Sequence, residues 1–331
     1  MPVEPTLSHI DFWDVGQGDC SVVHFSDGSI IIIDVGPKRS PLINWLHEKP
    51  KLIRDIILTH NDADHVGALA SLLAEHGDRV GHVWMLLDRP KNNVQFEQIF
   101  SYALTWEKKT GREIQTALSG QSIWNSRKQG LELKIVHPSF SELMIANNPN
   151  KSSAMVILES KDGWLKAWAG DLELQTVVRK CATQTVHTLI GPHHGAPSDL
   201  RYKGQAKYSA SIGAEALKLN NAFLSVGTGN GYKHPNPSYV FSLAKAGTHV
   251  SCSQLTKICD KKKSVAGKAI FNGSAMLGLP AASTGVACRG TKRISFNGDQ
   301  ILPDKYEMQH RLAIENLETP LCLKGSGWKK K

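Results

Sequence analysis

Apolar residues in this chain come in short runs separated by polar turns, with longer stretches of helical spacing between them. Residues 8–15 alternate loosely and read as a strand, Gly16-Gln17-Gly18-Asp19 as a turn, and residues 20–25 as a second strand. Asp27-Gly28 is a hairpin signal, and the stretch 29–36, with Ile30 to Ile33 unbroken, predicts a strand buried on both faces. A short helix over 41–48 carries Pro41 at its start. The run 53–58 is again short, apolar and β-branched, so it predicts a strand. Val66, Leu69 and Leu73 then repeat at helical spacing, and Gly77 marks the stop. Further on, strands are predicted over 80–86, 131–136, 154–158, 164–169, 186–190, 222–226 and 248–252. Helices are predicted over 91–118 (Phe96, Phe100 and Leu104 on one face), 172–181, 205–220 and 237–244, with Gly247 ending the last. A hairpin over 293–301 and a short helix over 308–317 complete the pattern. Trp84, Trp106 and Trp124 need no role beyond core or rim packing. This alternation of strands and helices is that of an α/β protein.

The chemistry concentrates in Thr59-His60-Asn61-Asp62-Ala63-Asp64-His65, between strand 53–58 and the helix that follows. His60, Asp62, Asp64 and His65 thus occupy the carboxyl end of a strand, where open α/β sheets form their crevices. A lone His-Asp pair there would be a surface residue and a helix cap; four such groups at this spacing point to metal. His60 and Asp62 can face one ion, and Asp64 and His65 a second, while Asp64 also stands where a carboxylate caps a helix. Imidazole suits zinc, and added carboxylates shift the preference toward manganese or magnesium.

Three later strand ends carry similar groups. Gly170-Asp171 places a carboxylate after a glycine, which suits a bridging ligand. Gly191-Pro192-His193-His194-Gly195 offers a histidine pair, of which one is expected to bind metal and the other to stand behind it or touch substrate. Tyr232-Lys233-His234-Pro235 follows the glycine-rich loop 227–231, which alone reads as a loop fixed by Pro235 and Pro237. His137, before Pro138, reads more simply as a strand-terminal residue than as a ligand, and Asn148 and Ser153 are either phosphate contacts or loop polarity. Asp34 is expected to serve as a turn or capping carboxylate, and Asp14 to orient a ligand histidine.

Composition is that of an ordinary globular protein, with room in 331 residues for one large domain or two modest ones. No apolar run reaches membrane-spanning length, and residues 1–5 lack a signal-peptide pattern; a cytoplasmic protein with six reduced cysteines is expected. Cys288, His310 and Cys322 leave room for a small structural site, though free thiols are the simpler reading. Charge is uneven: residues 257–331 hold 14 Lys+Arg and 6 Asp+Glu, a balance of 14 − 6 = +8, out of 39 − 30 = +9 for the whole chain. The reading is a basic C-terminal extension over 261–331, following a catalytic domain over 1–260, with Lys261-Lys262-Lys263 at the boundary. A basic segment beside a hydrolytic site suits an anionic polymer, although a tail such as Lys329-Lys330-Lys331 also serves solubility alone.

Taken with these motifs, the chain resembles the metallo-β-lactamase superfamily. Within it, the nearest likeness is to stand-alone relatives of the nuclease-like domain of bacterial DNA-uptake channel proteins, the ComEC type. The likeness rests on Asp14-Val15-Gly16-Gln17-Gly18-Asp19, Ile33-Asp34-Val35-Gly36, the 60–65 loop with Asp62 at the usual second histidine position, Gly170-Asp171, Pro192-His193-His194-Gly195 and Tyr232-Lys233-His234-Pro235. It covers roughly residues 8–255. It implies a four-layer αββα sandwich with two mixed β-sheets. Two divalent ions (Zn2+ or Mn2+) would be held by His60, Asp62, Asp64, His65, Asp171 and His193 or His194, with Asp64 and His234 catalytic. It further implies phosphodiester hydrolysis by a bridging hydroxide, with DNA as substrate and no membrane partner. The alternatives are a hydrolase of a small ester, thioester, lactam or phosphodiester, and a non-catalytic nucleic-acid-binding or regulatory subunit that keeps the fold.

Overall fold

The computed structural model describes residues 4–86, 94–146, 148–181, 183–196, 210–260, 269–297, 300–302 and 304–324. In chain order, β1 (Leu7–Phe12), β2 (Cys20–Phe25) and β3 (Ile30–Val35) form a meander, followed by α1 (Leu42–Glu48) and β4 (Ile53–Ile57). Next come α2 (Ala63–Val66), α3 (Leu69–His76), β5 (Val80–Met85), α4 (Val94–Thr110), β6 (Ile114–Thr116), β7 (Gln121–Ser126) and β8 (Leu131–His137). The short helices α5 (Phe140–Ile145) and α6 (Pro149–Ser152) lead to β9 (Met155–Ser160) and β10 (Trp164–Trp168). Then α7 (Leu174–Cys181), β11 (Thr185–Ile190), α8 (Ala210–Ala216), β12 (Asn221–Leu224), α9 (Pro237–Lys245) and β13 (His249–Cys252) alternate. The last elements are α10 (Gly273–Met276), β14 (Lys292–Asn297), β15 (Gln300–Leu302), α11 (Glu307–Ile314) and α12 (Leu321–Lys324).

The strands form two mixed sheets, ordered β15-β14-β1-β2-β3-β4-β5-β6 and β13-β12-β11-β10-β9-β8-β7. In each, one half is antiparallel and the half fed by helical crossovers is parallel. The isoleucine run shows why they stack. Ile31 and Ile33 of β3 face the second sheet with Phe12, Val156, Trp168 and Phe223, whereas Ile30 and Ile32 face α1 and α3 with Trp45, Leu46, Leu69 and Leu72. Period-2 side-chain alternation in a strand with no polar face requires cover on both sides. The outer face of the second sheet is closed by Leu174 and Val177 of α7, Ala210 and Ala214 of α8, and Tyr239, Val240 and Leu243 of α9. The result is a four-layer αββα sandwich.

Two departures from the sequence pattern have physical causes. β6 and β7 lie at sheet edges, and their short polar sequences carry no clear alternation. The chain beyond 260, expected as a separate extension, returns to the first sheet: β14 pairs antiparallel with β1, from His9↔Ser295 to Phe12↔Lys292. Several of its basic residues are consumed internally. Arg289 pairs with Asp304, Lys292 with Glu307 at 3.0 Å, and Arg293 with Asp11 through two bonds of 2.6 and 2.7 Å. The lysine runs 261–263 and 329–331, the 298–299 hairpin turn, and parts of the expected helices at 91–93 and 205–209 lie outside the described residues. No helix among the described residues is long and apolar enough to cross a membrane.

Lys166 of β10 is a fully buried cation over the rings of Trp164 (5.6 Å) and Phe296 (5.4 Å). No carboxylate pairs with it among the described residues. Burial, and secondarily Lys292, lower its pKa to about 7. A depressed lysine pKa favours the unfolded chain at every pH below the unfolded value, because the folded state binds the proton less tightly. The penalty is therefore full below about pH 7 and disappears as pH rises toward the ordinary value of 10.5. Lys166→Met should stabilise the fold at neutral pH by on the order of 1–3 kcal/mol, and the gain should vanish near pH 10. Denaturant titration of both proteins at the two pH values checks this; an equal difference at both would refute it.

Candidate metal centre

The parallel halves of the two sheets place their strand ends at one rim. β4 delivers the 60–65 loop, β10 delivers Asp171, β11 delivers His193 and His194, and β12 leads to Ser225 and the loop holding His234. Gly170 adopts φ +51, and a Cβ there would lie 2.7 Å from Thr59 Oγ1, so only glycine lets Asp171 reach the rim. His193 and His194 both stand in the left-handed region, at φ 49 and 52, which is strained for non-glycine residues and directs the two rings apart.

Asp171 organises the cluster. Its Oδ2 lies 3.4 Å from His60 Nε2 and 3.5 Å from His193 Nε2. Its Oδ1 lies 3.5 Å from His65 Nε2 and 3.6 Å from His194 Nε2. One carboxylate therefore faces two imidazole pairs, one per oxygen. Asp62 stands with the first pair, 3.9 Å from His60 Nε2; Asp64 stands with the second, 3.2 Å from His194 Nε2. The two neighbouring histidines fall one to each side of Asp171, His194 buried and His193 partly exposed.

The proton arrangement on the second side fits a cation. His65 Nδ1 meets Asp34 Oδ2 at 2.8 Å, and His194 Nδ1 donates to the Ser225 carbonyl at 2.8 Å. With their Nδ1 atoms so engaged, both rings turn Nε2 inward, and the two Nε2 atoms stand 3.3 Å apart. Two nitrogens bound to one tetrahedral zinc at about 2.0–2.1 Å would stand at about this separation. On the first side, His60 Nε2 is buried without a hydrogen-bond partner, as is Asp171 Oδ1 on the second. The triads His60/His65/Asp171 and Asp19/His65/His194 could each hold an ion.

Electrostatics agree with the geometry. Burial alone would raise Asp171, but His60, His65 and His194 outweigh it and hold the carboxyl well below its ordinary value. Burial would lower His194, yet Asp19, Asp64 and Asp171 raise it to about 9. His234 is lowered to about 4 by burial, then by His194 and His193, so it is neutral at pH 7. Its ring centre lies 5.4 Å from that of His193 and 6.3 Å from that of His194, at the mouth of the site, with exposed Tyr232 stacked on its outer side at 5.9 Å.

The sequence pattern missed Asp19. This buried carboxylate lies 3.7 Å from His194 Nδ1, its Oδ1 has no hydrogen-bond partner, and burial raises its pKa to about 6. The turn that carries it is locked to the metal loop: Asp19 N donates to the Asp64 carbonyl at 3.2 Å. Gly18, at φ +131, passes so close that a Cβ would stand 2.2 Å from Asp64 O. The expected roles of Asp14 and Asp34 are exchanged. Asp34 orients His65, whereas Asp14 accepts from Gly16 N and Gln254 Nε2 and touches none of the histidines. His137 is occupied elsewhere, by Glu142 at 3.2 Å and the Lys151 carbonyl at 3.0 Å. Asn148 caps α6, Ser153 Oγ accepts from Asp171 N at 3.3 Å, and Asn150 Nδ2 lies 3.4 Å from His193 Nε2.

Asp34 is used purely as an acceptor: from Thr59 N (2.8 Å), Thr59 Oγ1 (2.7 Å) and His65 Nδ1. An asparagine would keep one acceptor oxygen and turn its NH2 against one of these donors. Asp34→Asn should therefore weaken metal binding by about 10–100-fold. Competition with a chromogenic chelator measures this, and unchanged affinity would remove Asp34 from the role.

Fold and site together define a metallo-β-lactamase-like sandwich with a histidine- and aspartate-rich centre at one rim. The family model described as the metallo-beta-lactamase superfamily matches residues 13–163, a little under half of the chain. No curated protein matches the sequence. Similar solved structures include a CmlA beta-hydroxylase mutant, at 14% identity over 74% of this chain and 52% of that one, TM-score 0.41. The chain thus spans about half of that protein. The short form of human tRNase Z is 13% identical over 66% of this chain and 92% of its own, TM-score 0.39. Zn(2+)-bound PqqB from Methylobacterium extorquens is 12% identical over 75% and 98%, TM-score 0.44. Likenesses this distant carry no activity across to this chain.

Proposed function

We propose that this chain is a dinuclear metal-dependent hydrolase of phosphodiesters, of the ComEC-like type, with DNA as its substrate. The observation that carries this reading is the Asp171 carboxylate, whose two oxygens each face their own pair of imidazoles. His60, His193 and Asp62 would hold one ion, and His65, His194, Asp64 and Asp19 the other. When bound, two such ions acidify a water and offset charge on the phosphate oxygens. Zinc or manganese both suit a set of imidazoles and carboxylates. The chain's own groups do the rest. Asp34 and the Ser225 carbonyl fix the inward-facing tautomers of His65 and His194. Ser153 and Gly170 hold Asp171 at the rim. Neutral His234 can donate its one N–H to a phosphate or leaving oxygen. The free cysteines accord with action in a reducing, cytoplasmic setting.

A second reading, hydrolysis of a small ester or diester, is favoured by the C-terminal basic residues that are spent on internal pairs rather than on an open surface. One experiment separates the two. Metal-loaded protein is incubated with single- and double-stranded DNA, with RNA and with bis(p-nitrophenyl) phosphate, beside an Asp64→Ala/His65→Ala control. Cleavage of DNA that the double variant loses supports the first reading. Turnover of the small diester alone supports the second, and undiminished cleavage by the variant refutes the site.

A further inference from the structure

Four of the six cysteines meet at one place, away from the His/Asp centre. Cys252 ends β13, Cys259 follows in the next turn, Cys288 precedes β14, and Cys322 lies in α12. All four, with His310 of α11, line a cavity of about 20 Å3. That volume holds one water-sized occupant. His310 is wholly buried, and its Nε2 lies 3.8 Å from Cys288 Sγ. Its Nδ1 has no hydrogen-bond partner but stands 3.8 Å from Glu307 Oε1, a carboxylate behind the ring as in many metal-bound histidines.

We propose that these residues form a separate structural zinc site, four of the five donors closing on one ion. Soft thiolates with an imidazole are the donor set that selects zinc and fills a closed tetrahedral site. The His/Asp centre, by contrast, is built of nitrogen and oxygen donors. No three of the five donors lie within 4.8 Å of one another, so the thiols must turn about χ1 to close on the ion. Each has that single torsion to turn. Burial first, then mutual proximity, raises the Cys252 and Cys288 thiols well above their ordinary value, so without an ion the cavity is ringed by neutral thiols. An ion there would also have a position in the architecture. It would join β13, the turn at 259, the segment before β14 and both C-terminal helices. Pro235, the neighbour of His234, lines the same cavity. The site would thus pin the C-terminal segment beneath the loop that closes the metal centre.

Cobalt substitution tests this with a signature the other centre cannot give. The full chain, with His65→Ala and Asp171→Ala to weaken the His/Asp centre, should retain about one zinc per chain. After exchange into Co2+ it should show a near-ultraviolet thiolate-to-cobalt band. Cys288→Ser/Cys322→Ser should lose both, and Cys20→Ala, changed at the cysteine nearest Asp19, should keep both. If the cysteine double variant fails to fold, the cobalt spectrum of the chain with its cysteines intact still decides. Absence of the band, with the four thiols reacting equally before and after chelation or recovered as disulfides, overturns the proposal. Because none of these readouts uses hydrolysis, the outcome is independent of the proposed phosphodiesterase activity.

Discussion

Asp171→Ala should reduce the proposed phosphodiester hydrolysis by on the order of 10³-fold or more, and should lower bound metal at the His/Asp centre below that of the wild type. The reason lies in how one carboxylate is shared. Oδ2 stands between His60 and His193, and Oδ1 between His65 and His194, all at 3.4 to 3.6 Å. Alanine removes the carboxylate that faces all four imidazoles, so the two halves lose their common anion together. Asp171→Asn keeps the shape but offers one acceptor oxygen, and should fall between wild type and alanine in both metal content and rate. Because the carboxylate is placed to act on the centre rather than on the substrate's distant parts, the loss should appear in kcat with KM little changed. Elemental analysis beside kinetics separates the outcomes. Full metal content and near-normal kcat in the alanine variant would show that Asp171 does not join the two sides.

Much of this centre was legible because each part announces itself locally. His60 to His65 sit between a β-branched run and a helical repeat, and Asp171 and the 193–194 pair each follow a glycine at a strand end. What was not legible depends on which strands are neighbours. Asp14 and Asp34 look alike in sequence, each followed by Val-Gly. β3 pairs in parallel with β4, Ile33 beside Ile57, so the end of β3 puts Asp34 next to Thr59 and His65. Asp14 lies between β1 and β2, and its backbone N–H donates to Thr291 Oγ1 instead. Asp19 reads as a turn residue until the backbone contact between Gly18 and Asp64 is known, and nothing in local spacing gives a contact across that separation. The return of β14 to β1 is hidden for the same reason, since its partners lie at opposite ends of the chain.

That return strand leads to the second large effect. Asp304→Ala should destabilise the fold by about 3–5 kcal/mol. Arg289 is 0% exposed, its Nη2 pairs with Asp304, its Nη1 donates to the Thr291 carbonyl at 3.2 Å, and its guanidinium lies 4.9 Å from the centre of the Phe271 ring. Removing the carboxylate strands a cation that water cannot reach, and that uncompensated charge, rather than the lost attraction, sets the cost. The double variant Arg289→Met/Asp304→Leu should therefore recover most of the loss, because it removes both charges and fills the space with apolar atoms. Equal destabilisation in the single and double variants would show that packing, not charge, governs the site. The consequence should reach the metal rim. Thr291 Oγ1 accepts from Asp14 N, and Gln254 Nε2 bonds both Asp14 Oδ1 and the Thr284 carbonyl, so the C-terminal segment supports the turn that carries Asp19. Hydrogen exchange of the 14–20 amides should accordingly quicken in Asp304→Ala and return toward wild type in the double variant, while amides of β9 and β10 in the second sheet stay protected until global unfolding.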